Sequence, residues 1–223
     1  MNIFGRSFTS RRAEGSAAPG AAAQGAAGTA VLPDPAGHDP SMAALSGAWM
    51  VDPAHSRIGF SVRHAMVTTV RGAFTEYQSR LYFDGEDPSR SSAELVLATA
   101  SVDTGVEQRD AHVMGRDFLN ASQYPRMTFK STAVELAGDD VYRMHGDLTI
   151  KDVARPVVLE LTYIGFVTDA FGDERVGFDG TTTINRTDWG LMYNARLAQG
   201  GNMVSEKVRL QFDIAAIRTP SGR

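Results

Sequence analysis

From Trp49 onward, large apolar and polar side chains alternate with a period of two, as in strands that bury one face. The clearest run is "VRLQFDI". There Val208, Leu210, Phe212 and Ile214 share one face, and Arg209, Gln211 and Asp213 the other. "SRIGFSV" repeats the pattern with Ile58, Phe60 and Val62, "VYRMHGDLTI" with Tyr142, Met144, Leu148 and Ile150, and "PVVLELTY" with Val157, Leu159, Leu161 and Tyr163. Residues 72–83, 92–102, 126–136 and 175–185 complete a set of about eight strands. The segments between them are short and rich in turn formers: "DGEDPS" at 84–89, "AGDD" at 137–140, "KDVARP" at 151–156 and "DAFGDE" at 169–174. Pro156, which has no N–H to donate, suits the first residue of its strand. Sequential antiparallel strands joined by short turns form a meander, and a meander this long removes its edges by closing into a barrel.

One connection breaks the rhythm. "GVEQRDAHVMGRDFLNASQYP" follows the third expected strand. Thr104 and Glu107 have capping-box spacing, Gly115 can close the helix, and a second helical turn fits before Pro125. Val106, Val113, Met114, Phe118 and Leu119 give this insertion an apolar side, suited to lying over one mouth of a barrel. The expected fold class is therefore all-β: an antiparallel up-and-down β-barrel of about eight strands, with a helical insertion after the third.

Composition divides the chain. Residues 1–44 are rich in Ala, Gly and Pro and nearly free of large apolar side chains, so they cannot bury enough surface to offset their ordering entropy. The expected organisation is a disordered tail over 1–44, a barrel domain over 45–219 and a short C-terminal tail over 220–223. Arg11 and Arg12 could begin a twin-arginine export signal, but Glu14, Pro19 and several glycines interrupt any apolar core, so a cytoplasmic location is expected, with export as the alternative. Ile3, Phe4 and Phe8 beside Arg6 allow a transient contact with a membrane surface. A net charge of −4 argues against nucleic acid as a partner. The absence of cysteine removes disulfides, thiol nucleophiles and thiolate metal sites.

Candidate chemistry is sparse. His55 and His64 are nine residues apart, so on one flat strand they face opposite sides; hydrogen-bonding roles are expected, with no metal site and no cofactor. His112 falls on the insertion and His145 beside Gly146, neither in a metal-ligand pattern. Arg109–Asp110 and Arg116–Asp117 suggest local ion pairs, or a polar collar at a barrel mouth. Arg186 and Asp188 suggest a structural pair beside Trp189. Asp103 and Asp110 could form a carboxylate pair, but no nucleophile or base completes a catalytic group, and no catalytic residue is expected.

Four blocks, in this order, carry a resemblance: "DPAHSRIGFSVRH" with "VRGAF", "SVDTGVEQRDAHVMGRDFLNASQYPRMTFKS", "GDLTIKDVARPV" and "NRTDWGL". From Trp49 to about Ile217 the chain resembles the YceI-like family of polyisoprenoid-binding proteins. The resemblance implies an extended lipocalin-like barrel whose long apolar interior takes up an isoprenoid lipid, such as a quinone tail or a polyprenyl precursor. The tail falls outside it, and Asp152 stands where the family often has a small residue. Alternation alone does not separate a filled barrel from a hollow one; the hollow interior is implied by the resemblance. The residues expected to line it are Phe60, Val62, Phe74, Leu81, Leu95, Leu97, Met114, Phe118, Phe129, Leu148, Leu159, Leu161, Phe178, Leu210 and Phe212. The expected function is that of a non-catalytic carrier. Two alternatives remain: an enzyme acting on such a lipid through His55, His64 or Asp110, and an interaction module with a filled barrel.

Overall fold

The computed structural model describes residues 40–198 and 200–219. After a short helix α1 (Pro40–Ala43), the chain forms β1 (Gly47–Val51), β2 (Arg57–His64), β3 (Thr68–Phe74), β4 (Tyr77–Phe83), β5 (Ser92–Ala98) and β6 (Val102–Asp103). Helix α2 (Glu107–Met114) follows, then β7 (Arg126–Gly138), β8 (Val141–Ile150), β9 (Val153–Thr168), β10 (Glu174–Asn185) and β11 (Val204–Arg218). All pairings are antiparallel, in the order β1-β4-β5-β7-β8-β9-β10-β11, and β11 returns to β1 to close an eight-stranded ring. Strands β2, β3 and β6 extend the wall from β11 at one end.

The eight expected arms survive, but three of them are broken. The residues expected as one strand over 72–83 form β3 and β4, parted at Thr75 and Glu76. β1, which alternation did not reveal, pairs with the end of β11 (Trp49 opposite Arg218), while β2 pairs with its middle (Phe60 opposite Leu210). The bend between β1 and β2 is held by Asp52. Its carboxylate accepts from Ala54 N–H at 3.0 Å and from Arg175 at 2.6 Å, and lies 2.6 Å from His55 Nδ1. Counted as arms, β5 and β6 are the third, so α2 is inserted where the pattern placed it.

Two local expectations fail. The turn expected over 151–156 is only Lys151 and Asp152, both left-handed, as in a two-residue hairpin. Pro156 therefore lies inside β9, opposite Asp147. It is tolerated because β10 reaches only from Thr168 to Glu160, which leaves that stretch of β9 as an edge. The capping box does not form either. Val106 occupies the helix N-cap position without a side-chain bond, and Thr104 instead donates to Asp110 and accepts from Arg109.

The expected tail boundary at residue 44 falls inside a packed segment. Leu45 is buried with Trp49, Val176 and Ala216, and Met42 packs against them. The indole N–H of Trp49 donates to Leu45 O at 2.8 Å, and Arg218, stacked over the Trp49 ring, donates to the Ala44 and Ser46 carbonyls. This segment floors the barrel at the end opposite α2. Residues 1–39 and 220–223, on which the two tail expectations chiefly rest, lie outside the described residues, as do Arg11–Arg12 and the Ile3–Phe8 stretch.

Candidate functional site: a hollow apolar barrel

The interior holds a cavity of about 720 Å³. Every residue expected to line it does so except Met114. The helix period explains the miss: Val106, Arg109 and Val113 share the inward face of α2, and Met114 is turned one position away. Residues of the same parity as the expected set also face inward, among them Tyr142, Met144, Ile184, Val208 and Ile214. Parity reverses at two irregularities. A bulge between Ser131 and Ala133 hands the inward role in β7 from Met127 and Phe129 to Val134. A register shift beside Gly177 leaves Ile164 outside, 61% exposed.

The barrel is not packed shut. Ile58, Phe129, Met144 and Leu159 are buried, yet Phe60, Phe74, Leu95, Phe178, Leu210 and Phe212 face inward and remain only partly buried. Packing around Phe60 shows how the wall is shaped. Its ring lies over Gly72, its cross-strand partner, where an added Cβ would come within 2.5 Å of the ring.

Polar groups gather at the α2 end of the cavity, where His64, Thr104, Gln108, Arg109, His112 and Tyr193 join the lining. Val106, His112 and Tyr193 are both lining and exposed, so the cavity opens there. His112, Phe118 and Tyr193 form a cluster with ring centroids 5.0–5.2 Å apart, joining α2 and its following turn to the loop after β10.

The expected ion pairs are rearranged. His112 faces Asp117 at 3.1 Å, so Asp117 is not reserved for Arg116. Arg109 and Asp110 do not bond each other but meet through Thr104. Asp103 accepts from Gly105 N–H and Asp110 from Thr104, so they do not act as a carboxylate pair. Arg186 does not pair with Asp188. Its side chain is buried and donates to the carbonyls of Ser205, Val204 and Leu191, while also lining the cavity. Burial pushes its pKa below the ordinary guanidinium value, and Glu206 pulls the other way. Trp189 is buried beside it and donates its indole N–H to Leu148 O at 2.9 Å.

The described histidines lie in separate places, except that His64 and His112 share the α2 end of the cavity. His55 sits on the bend with Asp52, His64 ends β2 at the cavity, and His145 faces Glu135 at 3.4 Å on the outer wall. Among the described residues, no three His, Asp or Glu side chains are grouped to hold a metal ion. Arg186, Tyr193 and the floor residues Met42 and Leu45 join the lining unforeseen, because they lie outside the alternating runs.

The sequence profile of the YceI-like domain matches residues 49–216. The chain belongs to the YceI-like family. A UPF0312 protein of Ectopseudomonas mendocina is 35% identical over 164 residues, spanning 74% of this chain and 83% of the relative. Another, of Azotobacter vinelandii, is 33% identical over 177 residues, spanning 78% and 89%. Among solved structures, Burkholderia cenocepacia BcnA superposes with a TM-score of 0.65 at 27% identity, over 74% of this chain and 98% of its own. A polyisoprenoid binding domain from Saccharophagus degradans shares the YceI-like barrel at a TM-score of 0.57 and 15% identity, over 77% and 98%.

Proposed function

We propose that this protein is a non-catalytic carrier that holds the long apolar chain of an isoprenoid lipid inside its barrel. The observation that carries the reading is a cavity of about 720 Å³ lined by large side chains that face one another without filling the space. Its size falls within the usual range of small-molecule sites, roughly 300–1,000 Å³. Such a wall offers a ligand little beyond removal from water, worth about 0.8 kcal/mol per buried methylene. That interaction selects length and flexibility, as an isoprenoid tail requires. Membership of the YceI-like family and the name of the Saccharophagus fold neighbour support the same ligand class.

Binding rather than catalysis fits the polar groups. A catalytic site needs titratable groups converging on one reacting atom. Here Asp110 is engaged by Thr104, His55 stands on the bend near the floor, and the titratable lining is dispersed, with His64 and His112 at the α2 end and Asp84, paired with Arg90, at the floor. Native mass spectrometry of the purified protein, followed by organic extraction and lipid analysis, tests the proposal. A co-purified prenyl lipid at about one per chain is expected. A protein that purifies empty and takes up no prenyl lipid from detergent micelles would sink the reading.

A further inference from the structure

The α2 end of the barrel carries a rim that the cavity alone does not explain. At the β2–β3 turn, Met66 and Val67 are 68% and 77% exposed. Met192 and Tyr193, in the loop after β10, are also exposed, as is Val106 at the start of α2. The rim is built as a unit: Ala65 N–H donates to Met203 O at 2.6 Å, tying the β2–β3 tip to that loop, and Arg63 donates to Met66 O at 2.8 Å. Ala65 and Met66 both have left-handed backbone, a conformation that ordinarily selects Asn or Gly in a tight hairpin. The tip therefore presents an apolar side chain against local preference. Val106 and Tyr193 belong to the rim and to the cavity lining, so apolar side chains stand at the mouth beside its polar groups.

Charge distinguishes the two ends. The turns at the floor carry Asp84, Glu86 and Asp87 with Arg90, then Asp139 and Asp140, then Asp169 and Asp173. Asp169 and Asp173 flank the other prominent apolar tip, Phe171, and although Arg90 and Arg175 pair with Asp84, Asp87 and Asp169, the acidic excess of these turns disfavours an anionic surface. At the α2 end, exposed arginines stand beside the apolar tips, among acidic side chains at Asp103, Glu107 and Asp117. Asp117 faces His112 and Asp110 accepts from Thr104, while Arg63, Arg116 and Arg196 are exposed around the apolar tips.

We propose that this rim is a docking surface for an anionic lipid bilayer. Met66, Val67 and Met192 enter the headgroup boundary, the arginines meet lipid phosphates, and the cavity mouth opens toward the acyl region. The proposal rests on the lipid-carrier reading for its purpose but not for its test. The contact proposed is interfacial, with the apolar tips entering no deeper than the headgroup boundary.

The test is flotation of the full chain with phosphatidylcholine vesicles, with and without phosphatidylglycerol. Prenyl-lipid uptake from detergent micelles is measured in parallel. Association with the anionic vesicles is expected. Met66→Asp with Met192→Asp should lower the bound fraction about fivefold or more while leaving uptake from micelles unchanged, whereas Phe171→Asp at the floor should leave both unchanged. Rim-dependent flotation supports the docking surface even if no prenyl lipid is taken up, in which case the carrier reading fails alone. Absence of vesicle association, association unaffected by the rim variants, or association lost in Phe171→Asp would each overturn the proposal.

Discussion

Gly72 has no side chain, and the Phe60 ring uses the space; a Cβ there would meet the ring at 2.5 Å. Gly72→Val should push that ring toward the cavity, because the other side is the β2–β3 wall. The expected result is weaker prenyl-lipid binding with little loss of fold, read by ligand titration beside a circular-dichroism melt. At the bend between β1 and β2, burial opposes ionisation of Asp52, but its bonds from His55, Arg175 and Ala54 outweigh that and hold its carboxyl below the ordinary value of 3.8. A folded-state pKa below the unfolded one gives stability that is complete above the unfolded value and drains as the pH falls through the folded one. Asp52→Asn should therefore lower the melting temperature at pH 7, and the gap from the parent should close as the pH is taken below 3.8. A gap that persists unchanged in acid would assign the role to hydrogen-bond geometry instead of charge. Residues such as Asp52 were not legible as a group: His55 and Asp52 are neighbours in sequence, but Arg175 reaches them only through closure of the barrel.

Elements were legible where one face is oily and the other wet, as in β8 and β11. They were not legible where strands are short or their ends are set by distant partners. β1 contributes only Trp49 and Val51 to the interior, too few positions to declare a period. Pro156 misplaced the start of β9, because edge status is a property of neighbouring strands. The cavity lining followed from parity because Phe129, Leu159 and Leu161 precede the bulges that reverse it in β7 and β9, whereas Met114 failed because one helical position is a rotation of 100°. The floor segment begins slightly before the expected domain start at residue 45: Met42 packs there, while Ala43 and Ala44 resemble the preceding Ala-rich sequence. Its hold on the barrel can be measured by comparing a chain that begins at Pro40 with one that begins at Leu45. The shorter chain loses the partly buried Met42 and the Ala44 carbonyl that Arg218 binds. Removing a partly buried Met costs about 1–2 kcal/mol, which lowers the melting temperature by roughly 2–8 °C in a domain of this size. Equal melting temperatures would show that α1 and Ala44 rest on the floor without stabilising it.

At the scale of the whole molecule, a closed ring of eight strands leaves an interior that side chains can fill or a ligand can occupy. Which of the two holds depends on volumes summed around the entire wall, a quantity no single strand contains. Alternation placed Leu95 and Leu159 inside without saying what they touch; the structure places both on the cavity. A larger side chain there separates the two states of the barrel. In a filled core an inserted ring forces off-rotamer neighbours and backbone shifts costing about 1–3 kcal/mol. In a hollow one it enters empty space and gains contacts. Leu159→Trp and Leu95→Trp should therefore melt close to the parent when both are stripped of lipid, and should bind a prenyl lipid at least about tenfold more weakly, a loss of roughly 1.4 kcal/mol. The comparison must be made lipid-free, because a ligand that binds only the folded state raises the parent's apparent stability by mass action. If the variants instead melt far below the stripped parent, the interior behaves as a packed core. If they melt normally and bind as tightly as the parent, the lipid lies elsewhere, and the barrel is not its container.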